Sequence, residues 1–86
     1  MHAFQPLPFE DSVGAWVPHG RFQLASSAPG PLDGLRFAAK DLFDVAGQPT
    51  GAGNPDWLAT HGPALAHSAV VDTLLRAGAT LMGKTV

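Results

Sequence analysis

The sequence predicts an α/β fold, and three features in its second half support that prediction. A short apolar run at 35–39 stops at a lysine and an aspartate, which is typical of a buried strand. An amphipathic pattern at 68–77 predicts a helix, and a second apolar run at 80–83 predicts another strand. Strand–helix–strand connections within one sheet are nearly always right-handed, so the two strands are predicted to be parallel.

The composition excludes several classes of protein and ligand. The 86 residues suffice for one small domain, and their 45% hydrophobic and 14% charged residues exclude a coiled coil or a charged disordered tail. Without cysteine there is no disulfide framework, zinc ribbon or Fe–S site. The net charge is −2 and the five basic residues are scattered, which argues against nucleic acid as a partner.

The sequence also lacks the patterns of metal sites and membrane segments. His61 and His67 lie six residues apart, without the i, i+4 spacing or the close carboxylate of a metal site, so we expect no metal and no cofactor. The longest stretch without a charged residue, 57–71, contains Gly62 and Pro63 and is shorter than the ~20 residues of a membrane span. The first residues do not resemble a signal peptide. We therefore expect a cytoplasmic protein that does not associate with membranes.

Residues 1–29 are predicted to be an irregular lead-in. Pro6 and Pro8 each lack an amide hydrogen and fix their own backbone angle. Two apolar-rich runs, 13–17 and 21–25, flank a Pro-His-Gly turn and could form a small hairpin. The lead-in then ends in a loop rich in serine, proline and glycine.

Residues 30–86 contain the strand–loop–helix–strand unit. Its loop, 42–56, has three glycines and two prolines, and loops of that length in compact domains are usually functional. Ser68 is placed to cap the helix, and Gly78 fits the left-handed position that ends it. One helix cannot cover both faces of a two-stranded parallel ladder, and both of its edges are open. We therefore expect residues 30–86 to be the opening piece of a larger α/β domain.

The stretch 78–85, GATLMGKT, matches the phosphate-loop pattern GxxxxGK[ST] letter for letter. Phosphate binding requires a strand, then the glycine-rich loop, then a helix whose N-terminus faces the phosphate. Here a helix precedes Gly78, and the middle of the motif has the character of a strand. We therefore interpret Gly78 as the end of a helix and Lys84 as a residue at a strand exit.

Lys40 is the candidate catalytic residue. It follows Phe37-Ala38-Ala39 at the end of a predicted parallel strand, where α/β sheets usually place their sites. A lysine desolvated by such apolar neighbours can act as a base. The alternative is an ordinary solvated charge, or a partner for Asp41 or Asp44.

The residues from Gly30 to Thr85 resemble the beginning of the amidase signature family. The resemblance rests on GPLDGLRFAAKDLFDVAGQPTGAGNPDW, with its G-x-x-F-x-x-K-D segment, and on AGATLMGKT after the helix. It covers about two-thirds of the chain. The GNPDW stretch is similar to the subgroup of plant-type indole-3-acetamide hydrolases and their bacterial relatives. That subgroup also includes chloroplast envelope receptors whose amidase-like domain does not hydrolyse amides.

The resemblance implies a mixed, largely parallel sheet covered by helices, and a hydrolase that releases ammonia from small-molecule amides without a cofactor. Lys40 would act as general base through a bridging serine in a cis peptide, which relays the proton from a nucleophilic serine. The complete enzyme would be a homodimer. In the family both serines belong to a GGSS-like segment after GKT, which residues 1–86 do not contain, and Ser26-Ser27 lacks the flanking glycines.

Three interpretations therefore stay open. The chain can be the N-terminal part of an amide hydrolase, carrying the catalytic lysine and inactive alone. It can be a non-catalytic, amidase-like binding or receptor module. It can also be a nucleotide-binding fragment built on GATLMGKT.

Overall fold

A computed structural model describes residues 4–86 and contains one mixed four-stranded sheet with two helices, an α/β fold. The strands lie in the order β1-β2-β4-β3. Only the β3–β4 pair is parallel, so this part of the sheet is mixed but not largely parallel. The elements are β1 (Phe4–Pro6), a 3-10 turn (Pro18–Gly20), β2 (Phe22–Leu24), β3 (Arg36–Lys40), α1 (Pro55–Thr60), α2 (Ala69–Arg76) and β4 (Thr80–Thr85).

The predicted strand–helix–strand unit is confirmed. Strands β3 and β4 are parallel neighbours, and α2 connects them after the long loop. Gly78 ends the helix with a φ of 107°, a conformation that side-chain-bearing residues rarely adopt. Ser68 occupies the N-cap, although its hydroxyl makes no capping hydrogen bond. Strand β4 continues through Lys84 to Thr85, beyond the predicted end.

The predicted hairpin between 13–17 and 21–25 is wrong. Strand β2 pairs instead with β1, which lies within the predicted irregular lead-in, while the amide of Val17 donates to the carbonyl of Lys84 at 3.0 Å. The 3-10 turn lies between the two runs. Trp16 in the first run bridges to Thr85, and Leu24 in the second run pairs with Leu81, so both runs contact β4 rather than each other. Pro6 is tolerated because β1 is an edge strand, where a missing amide hydrogen breaks no ladder. Residues 1–3 of the lead-in lie outside the described part.

The pairing of β2 with β4 also corrects the expectation that both edges of the parallel ladder are open. Leu24 lies opposite Leu81, and β4 becomes an interior strand with neighbours on each side. Helix α2 covers the sheet with Val71 and Leu75, four residues apart and each 1% exposed. The buried cluster consists of Phe22, Leu24, Ala39, Val45, Val71, Leu75 and Leu81.

Helix α1 lies at the end of the stretch predicted to be loop. The side chain of Asn54 accepts hydrogen bonds from the amides of Asp56 and Trp57, and Pro55 occupies the first turn. An N-cap asparagine followed by proline is a helix-start signal, and Asp56 in the first turn favours it further. The sequence therefore contained this signal, but its proline and asparagine also fit a loop.

Candidate active site

Lys40 ends strand β3, and its side chain is exposed at the rim of a cavity of about 610 Å³. The cavity lies at the carboxyl ends of the parallel strands β3 and β4, the edge at which α/β sheets bind ligands. Its apolar walls include Val17, Leu42, Leu58 and Val86. The structure therefore places Lys40 at a cavity, but the desolvation expected for the complete enzyme is not present within this chain.

The lysine that is desolvated is Lys84. Its side chain is 0% exposed, and its Nζ lies 2.9 Å from Oδ1 of Asp41 in a buried ion pair. Nζ also donates to Oγ1 of Thr50 at 2.7 Å and to the carbonyl of Pro49 at 3.1 Å. Three oxygen atoms thus surround the ammonium group, which matches the three hydrogens that it can donate.

The second carboxylate oxygen of Asp41 is also held. Nε2 of His19 lies 2.8 Å from Oδ2, and the amide of Gly51 donates to the same atom at 3.0 Å. Burial raises the pKa of Asp41, but the hydrogen bond and charge of Lys84, followed by the contacts of His19 and Gly51, outweigh burial and hold that pKa below its ordinary value. Asp41 is therefore a buried carboxylate that stays ionised at neutral pH.

Strand alternation and two glycines explain this arrangement. Ala39 and Asp41 face the interior, so Lys40 between them faces out. A side chain at Gly51 would place its Cβ 2.7 Å from Oδ2 of Asp41. Gly83 has a φ of 79°, and a Cβ there would collide with the carbonyl oxygen of Gly20. Both positions therefore require glycine for the chain to close around the buried carboxylate and lysine.

The interpretation of Lys84 as an ordinary residue at a strand exit is thus corrected, because strand β4 continues past it and its charge is buried. His19, which follows no sequence pattern, is a further residue that only the structure reveals. A phosphate-binding lysine must be free to reach a ligand, whereas Lys84 is enclosed by protein oxygens. The structure gives no support to the nucleotide-binding interpretation.

The serine pair and the histidines lie elsewhere. The amide of Ser27 donates to the carbonyl of Leu75 in α2 at 3.0 Å. His61 stacks on Trp57 with ring centroids 3.4 Å apart, and Nδ1 of His67 accepts from the amide of Ala46. Among residues 4–86, no three His, Cys, Asp or Glu residues are grouped so that they could hold a metal ion. No helix in the described range is long and apolar enough to cross a membrane.

Residues 18–86 match the family model described as Amidase, so the chain belongs to the amidase family. It is 57% identical to Amidase 1 of Arabidopsis thaliana over 61 residues, which are 71% of this chain and 14% of the relative. It is 56% identical to the chloroplastic Outer envelope protein 64 of the same plant over 59 residues, which are 69% of this chain and 10% of the relative.

A more distant relative extends the match over more of the chain. Identity to the mitochondrial Outer envelope protein 64 of Arabidopsis thaliana is 42% over 84 residues, or 90% of this chain and 14% of that protein. The chain thus spans between about one-tenth and one-sixth of the length of the curated relatives that it matches. These matches show the family of the chain and do not show its activity.

Proposed function

We propose that this chain is the lysine-bearing segment of an amide hydrolase, with Lys40 as the general base. The observation that carries the proposal is the position of Lys40, at the carboxyl end of a parallel strand and beside the cavity of about 610 Å³. The same residue is the lysine of the G-x-x-F-x-x-K-D segment, on which the resemblance to the family rests. Two arguments, one from geometry and one from sequence, thus support Lys40 as the general base.

The chemistry follows from what a neutral lysine can do. Neutral Lys40 would accept a proton from a bridging serine, which takes one from the serine that attacks the amide carbonyl. The relayed proton then passes to the leaving nitrogen, so that ammonia departs as the acyl-enzyme forms, and water then releases the carboxylic acid. Both serines would come from a GGSS-like segment that residues 1–86 do not contain. Alone, this chain should therefore release no ammonia from a simple amide.

Lys84 is a poor candidate for the same role. Its Nζ is held by Asp41, Thr50 and the carbonyl of Pro49, contacts that favour the charged form. A base must give up that proton and must be reachable by the serine that it serves. The exposed Lys40 satisfies the second condition, and the enclosed Lys84 does not.

A graft tests the proposal. Residues 18–86 would replace the corresponding segment of Arabidopsis Amidase 1, and ammonia release from indole-3-acetamide and other simple amides would be measured. We expect an active graft that loses activity in Lys40→Ala and in Lys40→Arg, because a guanidinium does not deprotonate at working pH. An inactive graft, or an active Lys40→Arg graft, would contradict the proposal.

A non-catalytic, amidase-like receptor module is the second candidate. The 56% identity to the chloroplastic Outer envelope protein 64 favours it, because that identity is nearly as high as the identity to Amidase 1. The two candidates predict different sequences after residue 86 in the gene that encodes these residues. A GGSS-like segment encoded after residue 86 would favour the hydrolase, and its absence from a longer frame would favour the receptor.

For the hydrolase, we further propose a cytoplasmic location, a small-molecule amide as substrate and a homodimer when complete. The apolar walls of the cavity next to Lys40 suit a small organic substrate. Fractionation of the source cells and light scattering of the complete protein would test location and assembly.

A further inference from the structure

We propose that the buried Asp41–Lys84 pair is a positioning device for Lys40, so that Asp41 and Lys84 are positioning residues for the reaction. This inference rests on the proposed function, since it assigns a role to the pair in the same site. Asp41 follows Lys40 directly, and its carboxylate is 2.9 Å from the buried ammonium of Lys84.

The pair joins the separate segments that form this edge of the molecule. Asp41 directly follows β3, and Lys84 belongs to β4. Thr50 and Gly51 bring in the long loop, through the Nζ of Lys84 and through Oδ2 of Asp41. His19 brings in the 3-10 turn. A single carboxylate–ammonium pair therefore connects the strands, the loop and the turn that meet beside Lys40.

The backbone at this point is fixed from two sides. The amide of Asp41 donates to the carbonyl of Thr85 at 2.8 Å, and its own carbonyl accepts from the amide of Ala52 at 2.9 Å. The Lys40 side chain meanwhile faces the cavity and is exposed. The structure thus combines a hydrogen-bonded backbone directly after Lys40 with an exposed Lys40 side chain that is able to reach a reacting group. Such preorganisation matters because a displacement of about 1 Å can cost about 10²-fold in rate.

A merely structural pair would give a different result from a positioning pair. Loss of either partner leaves an uncompensated buried charge, and either kind of pair would then lower the melting temperature. A positioning pair would also lower kcat in the folded enzyme, with KM little changed, because Lys40 acts in the chemical step. Two residues that act through one contact should in addition give non-additive losses.

The test uses the graft, with each variant assayed well below its own melting temperature and normalised to folded protein. We expect Asp41→Ala and Lys84→Met each to lower kcat by about 10- to 100-fold, with KM within about threefold. The double variant should lose no more than the worse single variant. Unchanged kcat in the single variants, or losses that multiply in the double variant, would overturn the inference.

Arg76→Ala is the matched control. Nε of Arg76 lies 2.9 Å from Oδ2 of Asp72, the same separation as in the buried pair, but both side chains are substantially exposed. Its kcat and KM should equal those of the parent graft. Lys40→Ala separates the two proposals. If it abolishes turnover while the Asp41 and Lys84 variants keep full kcat, only the positioning role fails; if it stays active, the proposed function fails.

Discussion

Lys40 and Lys84 lie near each other at the carboxyl ends of the two parallel strands, but Lys40 is exposed and Lys84 is buried. Residues 40 and 85 are paired partners, so Lys40 and Lys84 lie at the ends of neighbouring strands. Lys40 is exposed beside a cavity, whereas Lys84 is 0% exposed and enclosed by a carboxylate, a hydroxyl and a carbonyl oxygen. One lysine is thus available for chemistry, and the other holds the structure around it. The difference teaches that residue type and strand position do not decide whether a lysine is exposed or buried; the oxygen atoms that the fold brings to it do.

The largest expected effect is on Lys40. In the graft, Lys40→Ala should lower kcat by at least a few hundredfold, because general-base catalysis contributes about 10²–10⁴-fold. Steady-state ammonia release measures it. Lys40→Arg should be equally impaired, since it keeps the charge but cannot accept the proton. If Lys84→Met were the more damaging change to kcat, the two lysines would have been assigned the wrong way round.

The next effect is on stability, and it follows from the burial of Lys84 beside Asp41. Lys84→Met keeps the apolar stem but leaves the Asp41 carboxylate buried without its charge partner. Breaking such a pair typically costs about 3–5 kcal/mol, so the melting temperature of the graft should fall by several degrees. Differential scanning calorimetry measures this. Lys40→Met is the matched control and should leave the melting temperature nearly unchanged, since its side chain is exposed.

Acid should weaken the buried Asp41–Lys84 ion pair. The pKa of Asp41 is below its ordinary value of 3.8, so its contribution to stability is complete above that value and is lost as the pH falls through the folded-state pKa. Melting temperatures of the graft measured from pH 5 downward should therefore fall.

Replacing Asp41 tests whether its buried carboxylate causes this acid dependence. Asp41→Asn should flatten the acid dependence of the graft below the ordinary pKa of aspartate. An acid profile that Asp41→Asn leaves unaltered would show that this carboxylate is not ion-paired in the folded protein.

The smallest effect concerns the exposed Asp72–Arg76 pair on α2. Arg76→Ala should change the free energy of unfolding by no more than about 0.5 kcal/mol, because an i, i+4 pair at the surface is screened by water. Thermal melts at low and high salt measure it. A loss as large as that of Lys84→Met would mean that burial does not distinguish the two ion pairs.

Local patterns predicted much of the second half of the chain. The Val71 and Leu75 spacing predicted α2, and the glycine at 78 predicted where it ends. The pairing of β1 with β2 was not predictable in the same way, because a three-residue strand has too little periodicity to identify its partner. Helix α1 was missed because Asn54-Pro55 is compatible with both a loop and a helix start.

By itself, the sequence determined the α/β class and the parallel strand–helix–strand unit, and it suggested Lys40 as the candidate base, because these depend on short-range spacing and on a contiguous motif. Only the tertiary structure decided the environment of Lys84. Its partners Asp41 and Thr50 lie 43 and 34 residues away along the chain, and nothing local signals that they meet. Burial of a charge depends on which distant oxygen atoms surround it, and that is a property of the folded chain.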